Sequence, residues 1–370
     1  MMKHLTNGIA RTALIAAVAT ATLVNSLAQE PQYGLYIGDR DTYRVITYLQ
    51  PTYDPRAGGG RDIALMLRWS CAYSQFAKGY QSNPLEQVYI YGIAVDPDSG
   101  RIWASDHLRN RIVAFEHDGN YIRAFALPQG ATSPRKMTIS KYNGRTYLYV
   151  SASGKLWVFG PLEDLDNASW EQFVDANNQQ VSSASGVRCF GVYVLISASG
   201  NKAALYKFSS HRSGNKEVEW NVAGEDIDYI DNDTILLAVP GNPGTIKRLK
   251  IGDPSDITDF ITGLPGIWQG IAVGPEEIDG TRFIYIATYE TFPNALIAYR
   301  YNPNDEEEPL QWFGAASPLP FKSGYAVAIG PVWNCSQCDD SCREDVNRDG
   351  VVDDADLLRI LFAFGSSCGN

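Results

Sequence analysis

Basic residues, histidines and long apolar runs are all scarce in this chain. Lys and Arg total 31 against 42 Asp and Glu, giving a formal net charge of −11. So acidic a surface repels phosphate backbones, and no basic stripe stands out, which argues against a nucleic-acid partner. Only four histidines occur in 370 residues, His4 and the later His107, His117 and His211. A serine nucleophile needs a base and an orienting group, and the two "SASG" segments at Ser151 and Ser197 come without them. These segments read instead as small residues at tight strand-end turns. One apolar run does occur, "TALIAAVATATLV" (12–24), behind Lys3 and Arg11 and ahead of "SLA" (26–28). It is too short and wrongly flanked for a membrane span, and it predicts a secretory signal peptide over residues 1–28. The expected protein is exported, to the cell surface, the periplasm or the medium, with no transmembrane segment after cleavage. Six cysteines in an exported chain favour disulfides over thiol catalysis.

What is plentiful is glycine, 33 residues, and aromatic side chains at 12%. Both suit a turn-rich β protein. One pattern returns between residues 30 and 334: a short apolar strand ending in small residues, a polar turn, and a second strand with alternating apolar positions. "LYIGDRDTYRVITYL" (35–49) and "IWASDHLRNRIVAFEHDG" (102–119) share it, with Asp39 and Arg44 matching Asp106 and Arg111. The aspartates are expected to orient backbone amides in their own turns, with the arginines pairing locally. Weaker copies place equivalent positions at 39, 106, 152, 198, 239 and 288. Repeats of about 40–50 residues built from strands indicate a β-propeller. Innermost strands are expected at "YGIAVDP" (91–97), "RKMTISK" (135–141), "GIAVGP" (270–275) and "YAVAIGP" (325–331). The last has no strand pair after it and 35–49 has no inner strand before it. Joining them closes a ring of six blades and leaves no open sheet edge.

The stretch "GIAVDPDSGRIWASDHLRNRIVAFEHDGNYIRAF" (93–126) resembles an NHL repeat, the blade unit of six-bladed propellers. The resemblance implies an all-β, six-bladed NHL- or TolB-like propeller over 30–333, and says little about activity. Some such propellers hydrolyse lactones with a channel calcium held by Glu, Asn and Asp. The recognised inner strands offer no clear acidic set for that role, and Asp96 is explained by a hairpin turn. The first repeat step is too long by about 20 residues. "DIALMLRW" (62–69) is the expected outer strand of the first blade, and the surplus is a loop carrying Trp69, Tyr73, Phe76 and Tyr80. Together with His107, those aromatics make a candidate ligand face for a glycan or peptide, or an ornamental insertion.

The C-terminal stretch "DVNRDGVVDDADLLRI" (345–360) spaces oxygen ligands around a glycine bend. Asp345, Asn347, Asp349, the Val351 carbonyl, Asp353 and Asp356 fit a Ca2+ loop, with Gly350 at the sharp turn. "ADLLRILFAF" (355–364) then reads as a helix with an acidic start. Aspartate at the closing position resembles the F-hand of a dockerin type I repeat. Family dockerins carry two repeats and attach secreted glycan-degrading enzymes to cohesin-bearing scaffolds; a single repeat here leaves a cohesin-like or cell-surface partner for the 335–370 segment. Cys342 and Cys368 bracket the loop, leaving Cys335 and Cys338 to pair; other pairings remain open, and a zinc site from the first three is the rival. The resulting expectation is an exported, non-catalytic binding or display protein. The alternative is a glycan- or lactone-active hydrolase or lyase of a polysaccharide-degrading system.

Overall fold

Runs of β-branched and aromatic residues, broken by turn residues, form strands throughout the described part of the computed structural model. The structure describes residues 33–39, 44–49, 89–117, 121–182, 184–198, 202–241, 243–264, 268–276, 280–288, 296–302, 310–313 and 324–331. Among the described residues there is no α-helix, and no helix long and apolar enough to cross a membrane.

Strands β1 (Tyr33–Asp39) and β2 (Arg44–Leu49) form an antiparallel hairpin. The next sheet holds β3 (Ile90–Val95), β4 (Ile102–Asp106), β5 (Arg111–Phe115) and β6 (Tyr121–Ala126) in sequence order. It is followed by β7 (Pro134–Tyr142), β8 (Arg145–Ala152), β9 (Lys155–Gly160) and β10 (Ser169–Gln172). The short β11 (Val174–Asp175) pairs in parallel with the outer strand of a sheet of β12 (Ala184–Phe190), β13 (Tyr193–Ala198), β14 (Ala203–Ser210) and β15 (Ser213–Trp220). Then come β16 (Asp226–Tyr229), β17 (Thr234–Val239), β18 (Gly244–Lys250) and β19 (Ile257–Leu264). The fifth full sheet is β20 (Trp268–Val273), β21 (Arg282–Thr288), β22 (Leu296–Tyr301) and β23 (Leu310–Phe313). Finally β24 (Gly324–Pro331) pairs antiparallel with β1 and completes the three-stranded sheet β2-β1-β24.

Five sheets thus have four or five strands, in a β-propeller arrangement. The aligned positions 39, 106, 152, 198, 239 and 288 are the last residues of β1, β4, β8, β13, β17 and β21. The Asp–Arg pairs of the two best repeats sit in the same register, Asp39 opposite Arg44 and Asp106 opposite Arg111. The expected strand "DIALMLRW" and the loop bearing Trp69, Tyr73, Phe76 and Tyr80 lie outside the described residues.

The apolar core is divided among the sheet interfaces. Trp103, Phe125 and Phe159 join the β3–β6 sheet to the β7–β10 sheet, with ring centroids 4.8–6.1 Å apart. Comparable clusters join each later pair of sheets, and others join the β2-β1-β24 sheet to those of β20–β23 and β3–β6. A strand covered on both faces needs no polar side, which is why β4 and β8 read as near-continuous apolar runs while the outer strand β6 alternates. The first strands of successive sheets, β3, β7, β12, β16 and β20, lie side by side, and β24 neighbours both β20 and β3. Gly92 permits the closest of these approaches: a Cβ there would lie 1.9 Å from the Arg135 carbonyl oxygen.

Candidate functional site

These six strands enclose a narrow axial channel. Its walls include Ile93, Lys136, Arg188, Asp226, Ile271 and Val327, around a cavity of about 10 Å³. That is room for a single water at most. The sequence of β16, D-I-D-Y, explains the filling. Alternation turns Asp226 and Asp228 to one side of the strand, while Ile227 packs against Leu195 and Trp220 on the other. Asp226 Oδ2 lies 3.7 Å from Lys136 Nζ, and Asp228 Oδ1 lies 2.9 Å from Arg188 Nε. Both carboxylates also accept backbone hydrogen bonds. Ile227 N and Ile271 N donate to Asp226 at 3.0 and 3.1 Å, and Tyr229 N and Val273 N donate to Asp228 at 2.8 and 2.9 Å. Burial pushes both carboxyls above the ordinary range, against the pull of Lys136 and Arg188, and burial pushes the Lys136 ammonium down. Acidic side chains do reach the channel, from β16, which is not one of the inner strands recognised in the sequence. Asp226 and Asp228 sit on an inner strand whose charges hid its apolar signal.

Polar links also fasten each sheet to the next. Ser105 Oγ donates to the Arg135 carbonyl at 2.9 Å, tying β4 to β7. Ser151 Oγ donates to the Ser185 carbonyl at 2.6 Å and accepts from Lys136 N at 3.0 Å. Ser185 Oγ donates to the Gly224 carbonyl at 2.8 Å, while within the β12–β15 sheet Gly186 N donates to Ser197 Oγ at 2.8 Å. The position equivalent to Ser151 and Ser197 is Ala238 in β17, with no hydroxyl to offer. There the Asp226 and Asp228 carboxylates make the link to β20 instead. The first "SASG" also turns tightly, with Ser153 and Gly154 at φ 52° and 68°. Its buried serine has a second task that the small-residue reading did not include.

At the end of the channel where the inner strands begin, His107 lies in the turn after β4. Its ring stacks on Tyr91 at 4.2 Å and 20°, and Tyr91 stacks on Tyr89 at 5.8 Å. His107 Nδ1 lies 3.2 Å from the Pro134 carbonyl oxygen. A carbonyl only accepts, so Nδ1 carries the proton and Nε2 is left with a lone pair. Burial holds this imidazole below the usual 6.5. His107 is thus half-buried with a fixed tautomer. Beside it, Arg135 reaches to Glu225 at 3.0 Å, joining β7 to the approach of β16 although β12 lies between them. Asp106 accepts from Arg111 Nε at 2.9 Å and from the Tyr89 amide at 3.2 Å. The amide it orients belongs to the approach of β3, not to its own turn. Asp96 does organise its own hairpin, accepting from Asp98 N and Ser99 Oγ.

The candidate Ca2+ ligands Asp345, Asn347, Asp349, Val351, Asp353 and Asp356, and the cysteines Cys335, Cys338, Cys342 and Cys368, lie outside the described residues. Cys189 is free, and burial pushes its thiol well up, out of the reactive range. No group of three or more His, Cys, Asp or Glu suited to a metal ion occurs among the described residues. Sequence reasoning missed Arg135, Lys136, Arg188, Glu225, Asp226 and Asp228. The available signal was position: inner strands precede the second strand of each repeat by about ten residues, so "DIDY" ahead of "TILLAV" was due.

No known family matches the chain, and no curated protein does. Among solved structures, a chain of a nidogen/laminin complex aligns with TM-score 0.52 at 11% identity, covering 81% of this chain and 99% of that one. A protein of unknown function from Bacteroides caccae aligns at 0.48 and 11% identity, over 81% and 99%. Virginiamycin B lyase from Staphylococcus aureus aligns at 0.44 and 18% identity, over 64% and 73%. The first likeness supports a propeller-like fold and extends to nothing else.

Proposed function

We propose that this chain is an exported six-bladed propeller that binds and displays a ligand without transforming it, and that its C-terminal segment attaches it through a calcium-ordered loop. One observation carries the non-catalytic reading: among the described residues, the charges that line the channel are already engaged. Lys136 faces Asp226, Arg188 faces Asp228, and both carboxylates hold backbone amides, which leaves no free acid–base pair and about 10 Å³ of space. The six-blade count is supported by the six neighbouring inner strands and by the β1–β24 pairing of the three-stranded sheet. For the tail, the donor set Asp345, Asn347, Asp349, Val351, Asp353 and Asp356 is all oxygen, the chemistry Ca2+ takes.

A second reading rests on His107. A neutral imidazole with a free Nε2 at the channel mouth has the form of a general base. It would serve a lactone- or glycan-active hydrolase or lyase. Screening the purified protein against lactone and polysaccharide panels, with His107→Ala in parallel, separates the two. Turnover lost in His107→Ala favours the enzyme; saturable binding without turnover favours display.

A further inference from the structure

At the opposite end of the same strands, a cleft of about 640 Å³ opens between the β12–β15 sheet and the β16–β19 sheet. Its size is within the ~300–1,000 Å³ of small-molecule sites. One wall is a row of three rings. Tyr193 leans on Phe190 at 5.5 Å, and Phe190 stacks on Tyr229 at 4.6 Å and 24°. Val192, 54% exposed at the tip of the β12–β13 hairpin, extends this apolar wall. Glu217 and Asn232, both exposed, complete the lining together with smaller apolar residues, and among the described residues no Lys or Arg lines the cleft.

We infer that this cleft is a binding site for a neutral saccharide. Stacked on one another, the rings leave their edges and the outer faces of the row as apolar surface, which suits the C–H groups of a pyranose. The Glu217 carboxylate, the Asn232 amide and the Tyr193 hydroxyl make no hydrogen bond or ion pair among the described residues. An apolar occupant would strip water from these groups and return nothing, a loss that outweighs the gain from a small apolar contact. A ring carrying several hydroxyls satisfies all three. The carboxylate, with no cation to offset it, turns away uronates, sulfates and phosphates. The site is distinct from the channel mouth, so it goes beyond the display reading and does not depend on His107.

The test is calorimetric titration of the full chain with short neutral gluco-, xylo- and malto-oligosaccharides, and with an oligogalacturonate as the acidic comparison. At least one neutral series is expected to bind, and the oligogalacturonate is not. The double variant Glu217→Ala/Asn232→Ala, both exposed positions, weakens binding at least about tenfold, as expected for lost charge-assisted hydrogen bonds. Val192→Arg, also at an exposed position, blocks the cleft, and His107→Ala has no effect. No saturable heat with any neutral series, equal affinity for the acidic one, or unchanged affinity in the double variant each overturns the inference. Loss of binding in His107→Ala alone moves the site to the channel mouth, which also overturns it.

Discussion

Replacing Asp228 by alanine should be among the most damaging single changes in this protein. The carboxylate accepts from Arg188 Nε at 2.9 Å, from Val273 N at 2.9 Å and from Tyr229 N at 2.8 Å. Its side chain is 1% exposed, while that of Arg188 is 21% exposed. Removing one partner of a buried pair costs about 3–5 kcal/mol, because the other charge is left uncompensated. The Val273 amide, buried and without an acceptor, adds about 1–3 kcal/mol by itself. The partial exposure of Arg188 lets water recover some of this, so the sum settles at about 4 kcal/mol. Asp228→Asn keeps the shape and one acceptor oxygen, but loses the charge and turns an amide donor toward one of the N–H groups that the second oxygen served, so it should recover only part of that loss. Guanidinium unfolding followed by tryptophan fluorescence reads both, as shifts in midpoint at constant slope. An alanine variant within about 1 kcal/mol of the parent refutes the argument that this carboxylate joins β16 to β20. So does an asparagine variant as damaged as the alanine one.

Ser151→Ala removes the bridge from Ser151 Oγ to the Ser185 carbonyl and to Lys136 N, and should cost about 1–3 kcal/mol. The exposed Ser209→Ala should stay within about 0.5 kcal/mol in the same unfolding assay. Because burial holds His107 below 6.5, the folded chain binds fewer protons than the unfolded one between that lowered value and 6.5. Stability therefore rises with pH across that window and is lost as pH falls through it; an imidazole NMR titration with its midpoint at or above 6.5 contradicts this. Full-length protein should bind Ca2+ with a dissociation constant on the order of 10⁻⁴ to 10⁻³ M. Asp345→Ala and Asp356→Ala should each abolish that heat, and a parent protein giving no heat refutes the loop assignment.

The repeat was legible because each second strand ends in the same way. "LYIGD", "IWASD", "LYVSA", "LISA", "LLAV" and "YIAT" are apolar runs stopped by small or acidic residues, and their last residues mark the strand ends. Buried on both faces, these strands carry a strong local signal. Two inner strands were not legible for the opposite reason. "ASGVRCF" and "DIDY" face the channel with Arg188, Asp226 and Asp228, and a charged strand resembles a loop until its partners are known. Those partners are remote in sequence: Arg135 meets Glu225 from 90 positions away. No local pattern announces such a pair. The cleft beneath β12 and β16 was hidden in the same way, since Phe190, Tyr193 and Tyr229 meet only when two sheets stand side by side.

The pairing of β1 with β24 also has a mechanical side. Tyr33 is opposite Pro331 and Gly34 opposite Gly330, running on to Asp39 opposite Gly324. The chain therefore joins this ladder and leaves it at the same end. Tension applied between residues 33 and 331 loads one residue pair at a time and peels the strands apart like a zip. Sliding them past one another would share the load over every hydrogen bond in the ladder at once. A clasp of this kind yields at low force when both ends are held, and feels none when the chain is held by one end and the other is left slack. Such a protein suits suspension from a single point, and poorly suits service as a link under load between two.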